Sequence, residues 1–160
     1  MTKAELQELI KSAFVGVTLD GGSSLLQCQA MDKRCDNITA EEYEKLPLQE
    51  ITDNWRLIPT TFLERYCQLL AHADEKAFRY YMPAMMRSSI SGSCEVLTET
   101  LFYLRPSKEH LEHSMKHYSL FDDTQRSAIA QFLRKPLKMP RCLRRGWMSE
   151  LSTGSMPVGS

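Results

Sequence analysis

The chain reads as an all-α protein, and three features of the sequence carry that reading. Apolar residues recur at helical spacing through most segments. Residue pairs that cap helix starts stand at several of their beginnings. No run alternates apolar and polar residues as a half-buried strand would. The 160 residues suffice for one compact core. Residues 1–136 are expected to form this single domain of about seven or eight short helices, with residues 137–160 as a flexible tail.

The elements follow in order. Thr2 and Glu5 make a capping box ahead of a helix with Leu6, Leu9, Ile10, Ala13, Phe14 and Val17 on one face. Asp20-Gly21-Gly22 breaks that pattern, and Ser23 or Ser24 opens a short helix through Leu25, Leu26 and Met31. Thr39 and Glu42 form a second box, for a helix that Pro47 limits. In the less regular stretch 48–61, Trp55, Leu57 and Ile58 are expected to anchor the chain to the core. Pro59 then opens a helix carrying Leu63, Tyr66, Cys67 and Leu70.

Asp74 caps the most distinctive segment, DEKAFRYYMPAMMRSSIS, in which Phe78, Met82, Met85 and Ser89 share a narrow arc. Pro83 lies inside it, removes one backbone donor and crowds the Arg79 carbonyl, so the helix is expected to kink or restart there. Ser91-Gly92-Ser93 stops the run, and Ser93 caps a helix with Leu97, Thr100, Leu101 and Leu104 together. Ser107 begins another, with Leu111, Met115 and Tyr118 as its apolar stripe. Asp122 and Gln125 open the last helix, whose inner face is Ala128, Ile129, Phe132 and Leu133 and whose end is Pro136.

Charge narrows the function classes. Twenty basic and twenty acidic residues cancel, which argues against a dedicated nucleic-acid or membrane-surface binder. By region, residues 1–50 hold five basic and nine acidic side chains, whereas residues 136–160 hold four and one. The basic tail cluster, Lys138, Arg141, Arg144 and Arg145 with Leu143 and Trp147, reads as a solvated segment. The acidic first third suits a basic protein partner. The five cysteines form no Cys-x-x-Cys pair, so they read as free thiols in a reducing compartment rather than a zinc or disulfide framework. Charges interrupt the apolar residues of the first fourteen positions, and no apolar run approaches the ~20 residues of a spanning helix. A soluble cytoplasmic protein is expected.

Two constellations carry chemistry. His110, His113 and His117 fall within about 60° on a helix, a spacing that can share Zn²⁺ or Ni²⁺ with Glu109 and Glu112 nearby. They stand about 120–140° from the apolar stripe, so they are expected on a flank or a wet face, and no other cofactor is implied. Arg79 and Tyr80, beside the carbonyl that Pro83 frees, form a second candidate: a groove for a ligand or partner in which Arg79 grips a carboxylate or phosphate. The competing reading of that segment is core packing by Phe78, Tyr81, Met82 and Met85. No nucleophile elbow, P-loop or dinucleotide fingerprint is present in the sequence.

The phrase AFRYYMPAMM, Ala77 to Met86, resembles an FRYYLPAYM-like signature of a family of small bacterial proteins of unknown function, with Met82 where Leu is usual. The likeness extends to the Val17–Leu25 glycine turn, to Trp55-x-x-Ile58-Pro59, and to the helix from Gln125 to Leu133. The resemblance implies a bacterial helical domain and no particular activity. Small helical proteins without catalytic motifs often act by occluding a partner, so a protein-binding module such as a toxin-neutralising immunity protein is expected. The alternative is a small-ligand- or metal-binding enzyme using the histidines or Arg79 with Tyr80.

Overall fold

The computed structural model describes residues 1–32, 38–105 and 108–138. Among these, all regular structure is helical, as expected. The α-helices are α1 (Lys3–Ala13), α2 (Leu25–Asp32), α3 (Ala40–Lys45), α4 (Thr60–Tyr66), α5 (Glu75–Ile90), α6 (Cys94–Leu104), α7 (Leu111–His117) and α8 (Asp123–Arg134). Short 3₁₀ turns at Leu46–Gln49, Trp55–Leu57, Cys67–His72 and Lys108–His110 join several of them. Ser107, Cys35, Cys142 and the tail from residue 139 onward, with its basic cluster beyond Lys138, lie outside the described residues.

Helix α5 is the centre. Twelve of its sixteen residues are buried, on every side rather than on one arc. It runs unbroken through Pro83, which corrects the expected restart. The proline costs the Arg79 carbonyl its helical partner, but its ring is buried, as are Met82, Ala84, Met85 and Met86 beside it in the chain. Burying that much apolar surface outweighs one lost hydrogen bond.

The other helices lie around it. On one side α6 packs along α5 through small polar residues. Ser89 Oγ donates to the Met85 carbonyl at 2.7 Å and lies 3.3 Å from Thr100 Oγ1. On another, α1 pairs with α8, and Phe14 meets Phe121 edge to face at 6.0 Å.

Local capping fixes the helix starts. The boxes at Thr2/Glu5, Thr39/Glu42 and Asp122/Gln125 all form. Of the two serines expected to open α2, Ser24 exchanges bonds with Gln27, its Oγ accepting from Gln27 N at 3.2 Å. Long-range caps then tie connectors to α5. Asp74 accepts from Ala77 N at 2.9 Å with one oxygen, and from Ser23 N (2.9 Å) and Ser23 Oγ (3.1 Å) with the other. Glu50 accepts from Leu25 N (3.3 Å), Leu26 N (3.0 Å) and the Tyr81 hydroxyl (2.8 Å). It therefore serves the start of α2 and the middle of α5 together.

Two local expectations need correction. Leu57 is exposed, at 63%, while Trp55 and Ile58 are buried. The 3₁₀ turn explains this: three residues per turn put positions 55 and 58 on one side and 57 off it. The Arg87 guanidinium clamps the turn by donating to the carbonyls of Arg56 and Ile58. The helix from Pro59 ends at Tyr66 and tightens into a 3₁₀ turn through Cys67 and Leu70.

The close approach at Gly22 gives a direct test of the Asp74 junction. A Cβ there would stand 2.8 Å from Lys76 Cβ, 2.9 Å from Ala77 N and 2.9 Å from Asp74 Oδ1. Gly22→Ala should therefore destabilise the fold by about 1–3 kcal/mol through forced displacement. Ser23→Ala, which removes only a hydroxyl bond, should cost about 1 kcal/mol. Urea melts of the two variants check the order.

Candidate functional site

Helix α7 departs from its sequence pattern. The apolar stripe was expected inward and the histidines on a flank or wet face; His110 and His113 are exposed as expected, yet His117 is 8% exposed while Leu111 and Met115 are 47% and 58% exposed. The reason lies outside the helix. Ala73 ends the Cys67–His72 turn, and its carbonyl accepts from His117 Nε2 at 2.9 Å. The His117 ring also stacks on buried Phe78, with centroids 4.9 Å apart and planes 9° from parallel. The Tyr118 hydroxyl donates to the Tyr103 carbonyl. A satisfied carbonyl and an aromatic stack thus set the rotation of a seven-residue helix too short to dictate its own.

Because a carbonyl only accepts, His117 carries its proton on Nε2 and keeps Nδ1 as an acceptor. Burial holds its pKa below the usual imidazole value, against a smaller opposing effect of the Ala73 bond. Near neutral pH the stacked ring is uncharged.

The three histidines do come together. His110, His113 and His117 line a pocket of about 440 Å³ between α6 and α7, and His113 meets His117 edge to face at 4.6 Å. Phe78, Phe102 and Tyr103 supply its aromatic surface and Arg105 its permanent charge. Sequence reasoning missed Phe102, Tyr103 and Arg105. One signal was available: Phe102 lies about 140° from Leu97 on α6, an aromatic residue off the inner face, and it is 66% exposed. Among the described residues, no three of His, Cys, Asp and Glu are grouped to hold a metal ion. His117 Nε2 is also already committed to the Ala73 carbonyl.

The second candidate pair separates. Tyr80 does not line a groove: it is fully buried, its hydroxyl donates to the Ile51 carbonyl, and its ring packs edge to face against Tyr81. It anchors the 46–54 connector, and burial pushes its phenol pKa up. Arg79 is half-buried, and its Nε is enclosed without a hydrogen-bond partner. Burial likewise raises Cys28 to about 12 and Cys67 to about 11, which keeps both as unreactive thiols. Cys94 sits half-buried at the start of α6.

A family model described as "Family of unknown function (DUF6714)" matches residues 2–140. The chain belongs to the DUF6714 family. The likeness to a domain of unknown function read from the sequence therefore holds. No curated protein and no solved structure matches the chain. The DUF6714 match runs from the Thr2 cap past the end of α8, so the histidine pocket lies wholly within it. Among the described residues no helix is long and apolar enough to cross a membrane.

The buried imidazole has a pH consequence. A histidine with a depressed folded-state pKa binds protons more readily when unfolded. Its stabilising contribution is therefore present above the ordinary value of 6.5 and is lost as pH falls below it. His117→Gln retains a side-chain donor for the Ala73 carbonyl and removes the titration. The stability lost between about pH 7.5 and 5.5 should be greater for the wild type than for His117→Gln in chemical denaturation. Equal losses would show that folding does not lower the His117 pKa.

Proposed function

We propose that this DUF6714 chain is a protein-binding module whose docking face is the outward side of α7. The observation that supports this reading is the rotation of the helix: of its apolar stripe only Tyr118 packs on the core, and Leu111 and Met115 do not. Leu111 and Met115 stand exposed on α7, with Leu120 exposed just beyond it. Met115 also borders a groove of about 520 Å³, lined by Leu104, Tyr118, Phe121 and Ile129 beside α8, with Arg126, which faces Asp123, at its edge. Val15, Leu48 and Leu57 are exposed on turns and connectors, and Met31 and Phe102 are each the exposed large apolar residue of α2 and α6. Clustered apolar exposure marks interaction surfaces, whereas isolated residues do not.

The partner's chemistry follows from the rim. Glu109 and Glu112 flank Leu111 on the exposed segment and form no ion pair among the described residues, while Lys116 of α7 is drawn to Glu75 at 3.5 Å and Lys108 stands beside Glu109. The fitting partner is a basic protein presenting an apolar centre, the arrangement a toxin-neutralising immunity protein would meet in a nuclease domain. The small-ligand reading has its own support in the 440 Å³ pocket on the other flank of α7.

Replacing both Leu111 and Met115 by Ser should leave stability within about 0.5 kcal/mol, because both side chains are exposed. A basic protein that co-purifies with the wild-type chain should bind the double variant at least about tenfold more weakly by calorimetry with both purified components. Its affinity for the wild type should fall with added salt. Equal affinity for both forms, or a tight partner that is acidic, would overturn the docking face.

A further inference from the structure

We infer that the pocket between α6 and α7 is a binding site for a small planar aromatic carboxylate. This goes beyond the docking reading and does not rest on it, because Leu111 and Met115 do not line this pocket. Its volume, about 440 Å³, lies in the range of small-molecule sites.

The lining specifies the ligand's two ends. Buried Phe78 and the stacked His117 ring make the floor, and Tyr103 meets Phe78 edge to face at 6.1 Å with planes 88° apart. Phe102 stands 5.6 Å from Tyr103, itself largely exposed, and His113 is set nearly perpendicular to His117. These rings offer both faces and edges, the surfaces against which another flat ring packs best. The opposite requirement is anionic. Among the described residues Arg105 is the one permanently charged lining residue, and no Asp or Glu lines the pocket.

Arg105 is exposed, and it places one Nη2–H on the Leu133 carbonyl at 3.2 Å. A guanidinium has five donors, so a fork remains for a carboxylate. One guanidinium with an uncharged His117 matches a single negative charge better than a phosphate, which gathers several cationic groups or a helix N-terminus. A metal ion fits less well, since the pocket's imidazoles are not grouped to ligate one.

The test uses naphthalene-2-carboxylate, its neutral amide, and cyclohexanecarboxylate, titrated into the full chain while the histidine ring resonances are followed by NMR. The aromatic acid should bind with a Kd below about 1 mM and move the His113 and His117 signals. The amide and the saturated acid should each bind at least about tenfold more weakly. Arg105→Gln should lower affinity for the aromatic acid to that of the amide, and Phe102→Ser should weaken both aromatic probes. Both substituted side chains are exposed, and unchanged melting temperatures confirm folding. The inference is overturned if the histidine signals stay fixed up to about 5 mM ligand, if acid and amide bind alike, if the saturated acid matches the aromatic one, or if Arg105→Gln has no effect. The Leu111→Ser, Met115→Ser double variant should bind the aromatic acid unchanged, which separates failure of this site from failure of the docking face.

Discussion

The burial of α5 on almost every side governs the arrangement of everything else. A helix with twelve of sixteen residues inside has no wet face on which to rest, so connectors as well as helices must close over it. Charged groups hold three of those connectors. Asp74 at its first turn fastens the Gly22–Ser23 turn, Tyr81 reaches Glu50 at its middle, and Arg87 near its last turn clamps residues 56–58. Each is a hydrogen bond with an ionised partner, the stronger class, and each pins irregular backbone to an element already fixed by packing. The aromatic phrase at the centre of the chain is thus mainly architecture, and Tyr80 belongs to it.

How much of this was legible depends on the range of the deciding contact. Three capping boxes and the Asp74 and Ser93 caps were readable because donor and acceptor sit three residues apart. The inner faces of α1 and α8 were readable because each spans several turns of one pattern. Helix α7 was not, because the Ala73 carbonyl and the Phe78 ring that turn it lie 44 and 39 positions from His117 in the chain. Leu57 was missed for a smaller reason, a 3₁₀ period where an apolar run suggested uniform burial. For the candidate site, the histidine grouping was visible in the spacing. Its aromatic and cationic partners on α6 were not, since they come from another helix.

Local pairing also relocates the electrostatics. The first fifty residues carry an excess of acid, yet most of the described carboxylates there are committed. Glu5 and Glu42 close capping boxes, Glu50 caps α2, and Glu8, Asp20, Asp32 and Glu41 face Lys11, Lys76, His72 and Lys45. A carboxylate beside a cation or under backbone N–H groups contributes little field at a distance, because its charge is answered within a few ångströms. Glu109 and Glu112 form no ion pair among the described residues, although Lys108 and Lys116 share their segment, and they flank Leu111, which with Met115 is exposed on α7. For the proposed docking face, the unpaired carboxylates at α7 are therefore better placed than those of the acidic first third, most of which are paired. There they frame the apolar residues that would supply the contact itself.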